Sequence, residues 1–308
     1  MRGTLDQCLA ERFLGSTERR PSRTDPVVVS RTKHAFPVDR VRIEGREPTT
    51  KIAPAVDFEN RPPMLTDDHI RAYRDTGWFV LEDALDGGSL EVLRRECQRF
   101  MDERDAQMDA AGTDVMGLDR RGQRYFVNDC STRSDALRQL LLGEAMREVC
   151  RAAVGKDAWL FNDQFVVKGT DGETSFSWHQ DSGYIPYEHP QYVTCWIALD
   201  DVDESNGTVY VLPYDRAGTR EVVPHRRDPA TNDMVGYFGD DPGVPAIVDA
   251  GSIVCFSSTV FHRSGPNTTG RLRRVYLAQY SPEPILNDNG DAPRHQAVPV
   301  LRAGRPAG

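Results

Sequence analysis

Tyr192-Val193-Thr194-Cys195-Trp196-Ile197-Ala198-Leu199 is an uncharged run of strong β-formers, and it reads as a strand. Outward from it, the same short-strand character recurs at Trp159-Leu160-Phe161, Phe165-Val166-Val167, Thr208 to Leu212, Ala246-Ile247-Val248, Ser252 to Phe256 and Val275 to Tyr280. Turn signals such as Asn206-Gly207 and Asp249-Ala250-Gly251 separate several of them. Upstream the pattern is helical. Thr66 caps a short helix carrying Ile70 and Tyr73, Gly77 stops it, and Trp78-Phe79-Val80-Leu81 follows as a strand. Ser89 opens a second helix with Leu90, Leu93, Cys97, Phe100 and Met101 on one stripe, and 133–154 gives more helix, closed by Gly155. Helices first and many short strands afterwards predict an α+β fold: a β-sandwich or open barrel with helices packed on one side.

The 308 residues suffice for one large domain or two small ones. Residues 1–64, rich in proline and poor in periodicity, are expected to form an extended arm, 65–280 the folded domain, and 281–308 a loose Pro/Gly-rich tail. A hydrophobic content of 39% excludes a mostly disordered chain. No apolar run approaches the roughly 18 residues of a membrane span. The first twenty residues break their apolar positions with Asp6, Glu11 and Arg12, unlike a secretory leader. A net charge of −9 argues against nucleic acid as partner. The expectation is a cytoplasmic protein acting on a small molecule; oligomeric state is not legible. The six cysteines form no CxxC pair and read as reduced thiols, with Cys195 and Cys255 as small core residues.

Chemistry concentrates at Ser177-Trp178-His179-Gln180-Asp181. On a strand, residues two apart leave the same face, so His179 and Asp181 can reach one metal. The bare triplet is weak: with 7 His and 31 Asp among 308 residues, about 0.7 such triplets arise by chance. Context strengthens it. His262 follows the apolar run Ile253-Val254-Cys255-Phe256, and two His with one carboxylate are the ligand set of non-haem Fe(II) oxygenases. Arg273, on a strand face with Val275 and Leu277, needs an anionic partner, which a dicarboxylate cosubstrate or an ordinary acidic side chain would supply.

These segments resemble the phytanoyl-CoA dioxygenase family. The likeness lies in Phe176 to Asp181, Val193 to Val202, Asn206-Gly207, Val211-Leu212-Pro213, His262-Arg263-Ser264-Gly265-Pro266-Asn267 and Arg273, within about 65–280. It implies a double-stranded β-helix of jelly-roll type and an Fe(II)- and 2-oxoglutarate-dependent dioxygenase that uses O2. It further implies His179, Asp181 and His262 as iron ligands and Arg273 as partner of the distal 2-oxoglutarate carboxylate. Ser264, Phe176, Lys168 and Trp196 would line or hold that cosubstrate. Tyr184, Tyr187, Gln164 and Asn162, flanking the metal motif or on the preceding strand, are the candidates for substrate contact.

Two departures bear on substrate. Pro213-Tyr214-Asp215-Arg216 replaces the family's Pro-Gly-Ser-His, and the acidic-aromatic stretch of ectoine hydroxylases is absent after Asp181, so ectoine is not expected. The intact Asp181 favours oxygen insertion over halogenation. The acidic middle of the chain favours a small neutral or cationic metabolite, with hydroxylation of an unactivated C–H and succinate and CO2 as co-products. An acyl-CoA or fatty-acid hydroxylase is the alternative, for which Arg216, Arg220, Arg226 and Arg227 would supply a basic mouth. The other is a metal-binding barrel without turnover.

Overall fold

Thr66 starts the first helix for a local reason. Its side chain accepts from the His69 N–H while the His69 ring accepts from the Thr66 N–H, closing a capping box. The computed structural model describes residues 65–170, 174–229, 231 and 233–307; the expected N-terminal arm lies outside them. Helix α1 (Asp67–Thr76) ends at Gly77, whose φ of 88° suits glycine and whose missing Cβ lets Val260 and Tyr214 pack against it. Strand β1 (Trp78–Leu81) follows. Helix α2 (Gly87–Ala111) begins slightly before the expected Ser89, because the Asp86 carboxylate caps it by accepting from the Ser89 N–H at 2.7 Å.

Strand β2 (Arg124–Asn128) was not expected; it precedes α3 (Asp135–Leu141) and α4 (Glu144–Ala153). The helical stretch 133–154 is therefore two helices, split at Leu142-Gly143. The strand region then runs β3 (Ala158–Lys168), β4 (Phe176–His179), β5 (Val193–Ala198), β6 (Val209–Leu212), β7 (Val244–Pro245), β8 (Ile253–Ser257), β9 (Phe261–Ser264), β10 (Arg273–Ser281) and β11 (Val298–Arg302).

All these strands pair antiparallel in two sheets. The larger has the order β1-β8-β5-β10-β3-β2, and β11 joins the start of β3; the smaller is β7-β6-β9-β4. The period of two divides β5 cleanly. Val193, Cys195 and Ile197 face a core shared with Leu93, Cys97 and Phe100 of α2 and Met146, Val149 and Cys150 of α4. Trp196 and Ala198 face the other way, against Val209 and Val211 of the smaller sheet. Two facing sheets with helices on one outer side make the jelly-roll, α+β architecture that the sequence predicts.

Two expectations need correction. Residues 281–308 are not a loose tail: β11 is built into the larger sheet with Val300 and Leu301 buried, and Ile285 packs on Phe161 and Tyr192. The strand expected at 246–248 is displaced to Val244–Pro245; Val248 makes only a bridge to Val202, and Ile247 is 60% exposed. In the turn after Leu199, Asp200 is held by Arg274 through two guanidinium contacts. Cys195 and Cys255 are buried, unoxidised register partners.

Candidate functional site

His179 ends β4 and His262 lies on β9 directly opposite it, with ring centroids 4.2 Å apart. Each ring is oriented from behind. His179 Nδ1 lies 2.7 Å from the Ser177 carbonyl oxygen and His262 Nδ1 lies 3.2 Å from that of Val260. A carbonyl only accepts, so Nδ1–H donates and each Nε2 keeps its lone pair for a metal. Burial, reinforced by the neighbouring His262, lowers the His179 pKa to about 3 and keeps that imidazole neutral.

Asp181 does not share the strand with His179, as the spacing suggested: β4 ends at His179, and Asp181 starts a single 3-10 turn to Tyr184. The turn still carries Asp181 Oδ1 to 3.4 Å from His262 Nε2 and 3.9 Å from His179 Nε2. Burial raises this carboxyl's pKa, but its neighbours, the Thr194 hydroxyl among them, outweigh that and bring it to about 2. All three ligand atoms lie within 4.8 Å of one another. Two imidazole nitrogens and one carboxylate oxygen are a ligand set that suits Fe(II).

Gln180, between the two motif residues, is fully buried and faces the opposite way. Its amide donates to the carbonyls of Glu221 and Thr259 and accepts from the Val223 N–H. Its backbone N–H donates to His225 Nε2 at 2.9 Å. Gly183 lies so close to the His225 ring that a Cβ there would overlap it. His225 thus braces the turn that carries Asp181, and burial lowers its pKa.

The trio lines a cavity of about 440 Å³ between the sheets. Arg273, Ser264, Phe176 and Trp196 line it, as do Asn162, Gln164 and Tyr184. Two expected residues do not. Lys168 is fully buried behind the wall, its Nζ donating to Ser264 Oγ at 2.8 Å and to the Gly265 carbonyl while standing 4.7 Å over the Phe176 ring. Tyr187 lies outside because its hydroxyl is engaged with the Leu286 carbonyl at 2.7 Å and with Arg294. Of the four arginines expected at a basic mouth, Arg227 alone lines the cavity; Arg216 pairs with Asp241, Arg220 donates to the carbonyls of Arg74 and Asp75, and Arg226 stands over Phe238. Arg124 and Arg294 were not foreseen there.

Arg273 is 1% exposed, and burial pushes its pKa down to about 9. Its Nε has no partner among the described residues, and Nη1 reaches only the Val166 carbonyl at 3.5 Å. A buried guanidinium so poorly compensated, on the wall of a cavity beside His179, Asp181 and His262, is chemically suited to receive an anion. Thr194 and Gln279, which both contact Asp181, were also missed. Their signal was available: a polar residue inside an apolar strand run is costly unless something pairs with it.

Comparison with known proteins gives the family and the fold. The family model described as phytanoyl-CoA dioxygenase (PhyH) matches residues 73–275. The peroxisomal phytanoyl-CoA dioxygenase of Mus musculus is 25% identical over 238 residues, covering 70% of this chain and 68% of that protein. Among solved structures, the non-haem α-ketoglutarate-dependent epimerase SnoN from nogalamycin biosynthesis superposes with a TM-score of 0.56 at 20% identity, over 78% of this chain and 94% of that one. EvdO2 from Micromonospora carbonacea var. aurantiaca, complexed with 2-oxoglutarate, gives 0.55 at 17% identity, over 79% and 94%.

Proposed function

This chain belongs to the phytanoyl-CoA dioxygenase family, and on that premise we propose that His179, Asp181 and His262 hold its ferrous ion and Arg273 anchors its 2-oxoglutarate. The protein is a 2-oxoglutarate-dependent oxygenase acting on a small molecule. The observation that carries the residue assignment is the convergence of His179 Nε2, His262 Nε2 and Asp181 Oδ1 beside a buried, poorly compensated guanidinium. When bound, Fe(II), 2-oxoglutarate and O2 together supply the oxidising power to hydroxylate an unactivated C–H, with succinate and CO2 as co-products.

The chain's own residues provide grip, orientation and exclusion of water. His179, Asp181 and His262 would hold the ion and leave room on it for the cosubstrate and O2. Arg273 would take the distal carboxylate through charge-assisted hydrogen bonds. Ser264, whose hydroxyl is fixed by Lys168, would add a further hydrogen bond. Phe176 and Trp196 form apolar walls that keep water from the cosubstrate. Asn162, Gln164 and Tyr184 would face the main substrate.

Arg124, Arg227 and Arg294 line the same cavity. They favour a substrate carrying an anionic group over the neutral or cationic metabolite that the chain's net charge suggests, and they support an acyl-CoA or other acyl substrate as a second reading. Among the described residues no helix is long and apolar enough to cross a membrane; a cytoplasmic location is part of the proposal, to be checked by fractionation. The activity test is incubation with Fe(II), 2-oxoglutarate and O2 over a panel of small acids, amino acids and acyl-CoAs. Succinate release that His179→Ala abolishes is the expected result. Iron binding without succinate release under any condition would favour a binding module.

A further inference from the structure

The larger sheet sets three polar side chains in one row beside the ligand trio. Gln279 on β10 stands in register with Asn162 on β3 and with Thr194 on β5. The Gln279 Nε2 group donates to Asp181 Oδ2 and to Thr194 Oγ1, each at 3.1 Å, and Gln279 Oε1 accepts from Asn162 Nδ2 at 3.0 Å. The Thr194 hydroxyl donates to the same Asp181 Oδ2 at 2.5 Å. Donor chemistry leaves one arrangement. An ionised carboxylate only accepts, so Gln279 must turn its NH2 toward Asp181 and its oxygen toward Asn162, which in turn must present its own NH2. The row is thereby oriented from the carboxylate outward.

The two oxygens of Asp181 are consequently unequal. Oδ2 receives two donors, whereas Oδ1 is the atom turned to the imidazoles, 3.4 Å from one Nε2 and 3.9 Å from the other. We propose that Thr194 and Gln279 are positioning residues that restrict Asp181 to one-oxygen ligation, holding its second oxygen back from a position that the cosubstrate requires. The inference rests on the metal centre proposed above and adds to it the device that sets its coordination number. Asn162 completes the device by fixing which way the Gln279 amide faces.

The test uses the full chain with Co(II) as probe, titrated with and without 2-oxoglutarate and followed by visible d–d absorption, whose intensity falls as coordination number rises. Thr194→Val and Gln279→Leu are expected to bind Co(II) about 10–100-fold more weakly than wild type, the usual cost of losing a partner behind a metal ligand. Both should lose the wild-type spectral change on adding 2-oxoglutarate, and Thr194→Ser, which keeps the hydroxyl, should restore both affinity and spectrum. The double variant should lose less than the product of the single losses, since both donors serve one oxygen. Wild-type affinity and spectra in Thr194→Val and Gln279→Leu would overturn the inference while leaving the metal centre intact. Absence of Co(II) binding by the wild type would remove the metal centre and the inference with it. Metal-free melting curves report folding separately, and if Gln279→Leu does not fold, the Val/Ser pair at position 194 decides.

Discussion

Arg273 shows how much a single side chain can be asked to do. Its guanidinium is buried with scant compensation, which costs folding free energy. Arg273→Met should therefore leave the ligand-free protein as stable as wild type or more so, by thermal melting. The same change should weaken 2-oxoglutarate binding by about 10–100-fold, the loss of one or two charge-assisted hydrogen bonds. A destabilised protein with unchanged 2-oxoglutarate affinity would reverse the assignment. His225 makes a separate, pH-dependent prediction. Burial holds its pKa below the ordinary 6.5, and its neutral Nε2 accepts from Gln180. The unfolded chain takes up this proton first as pH falls, so the stability His225 contributes is present above 6.5 and lost as pH drops through the lower folded value. As the pH falls below 6.5 the melting temperature of wild type should drop more steeply than that of His225→Gln; parallel curves would refute it.

At the scale of elements, the reading of sequence succeeded where local chemistry and burial agree. Thr66 and Gly77 bracket α1, and the uncharged runs at β5, β8 and β10 are strands because both of their faces are covered. It failed where partners are distant in sequence. Arg124–Asn128 is charged at one end and looks like loop, yet Tyr125 and Val127 are buried as it pairs with β3. Residues 298–302 contain Pro299 and follow a Pro/Gly/Asp-rich stretch, and only the open start of β3 makes a strand of them. That segment is now expected to matter for stability. Leu301→Ala should cost about 2–5 kcal/mol in urea unfolding, the usual loss for a fully buried leucine. A change below about 0.5 kcal/mol, typical of surface positions, would mean that the segment is peripheral after all.

For the molecule as a whole, the two sheets bring together residues that lie far apart along the chain, and the cavity between them is where binding and folding meet. A ligand that binds only the folded state at about a hundred times its Kd stabilises it by about 2.7 kcal/mol. Co(II) with 2-oxoglutarate should therefore raise the melting temperature of wild type and leave that of Asp181→Ala unmoved; equal shifts would place binding elsewhere. The convergence of His179, Asp181 and His262 beside Arg273 was legible chiefly through the resemblance of their flanking segments to a known family, since the bare His-x-Asp triplet and a lone arginine each admit ordinary readings. The contacts that orient them were not: Thr194, Gln279 and His225 meet the motif only through tertiary structure. The chain's net charge and the arginines that line the cavity point to different substrates, because those arginines are a local feature of an acidic protein. The most direct test is an anaerobic Fe(II) titration of wild type beside His179→Ala, Asp181→Ala and His262→Ala, with 2-oxoglutarate present. The wild type should take up a single ion and develop the visible charge-transfer absorption of an Fe(II)–2-oxoglutarate chelate, and each variant should lose both; wild-type binding and absorption in all three variants would contradict the account.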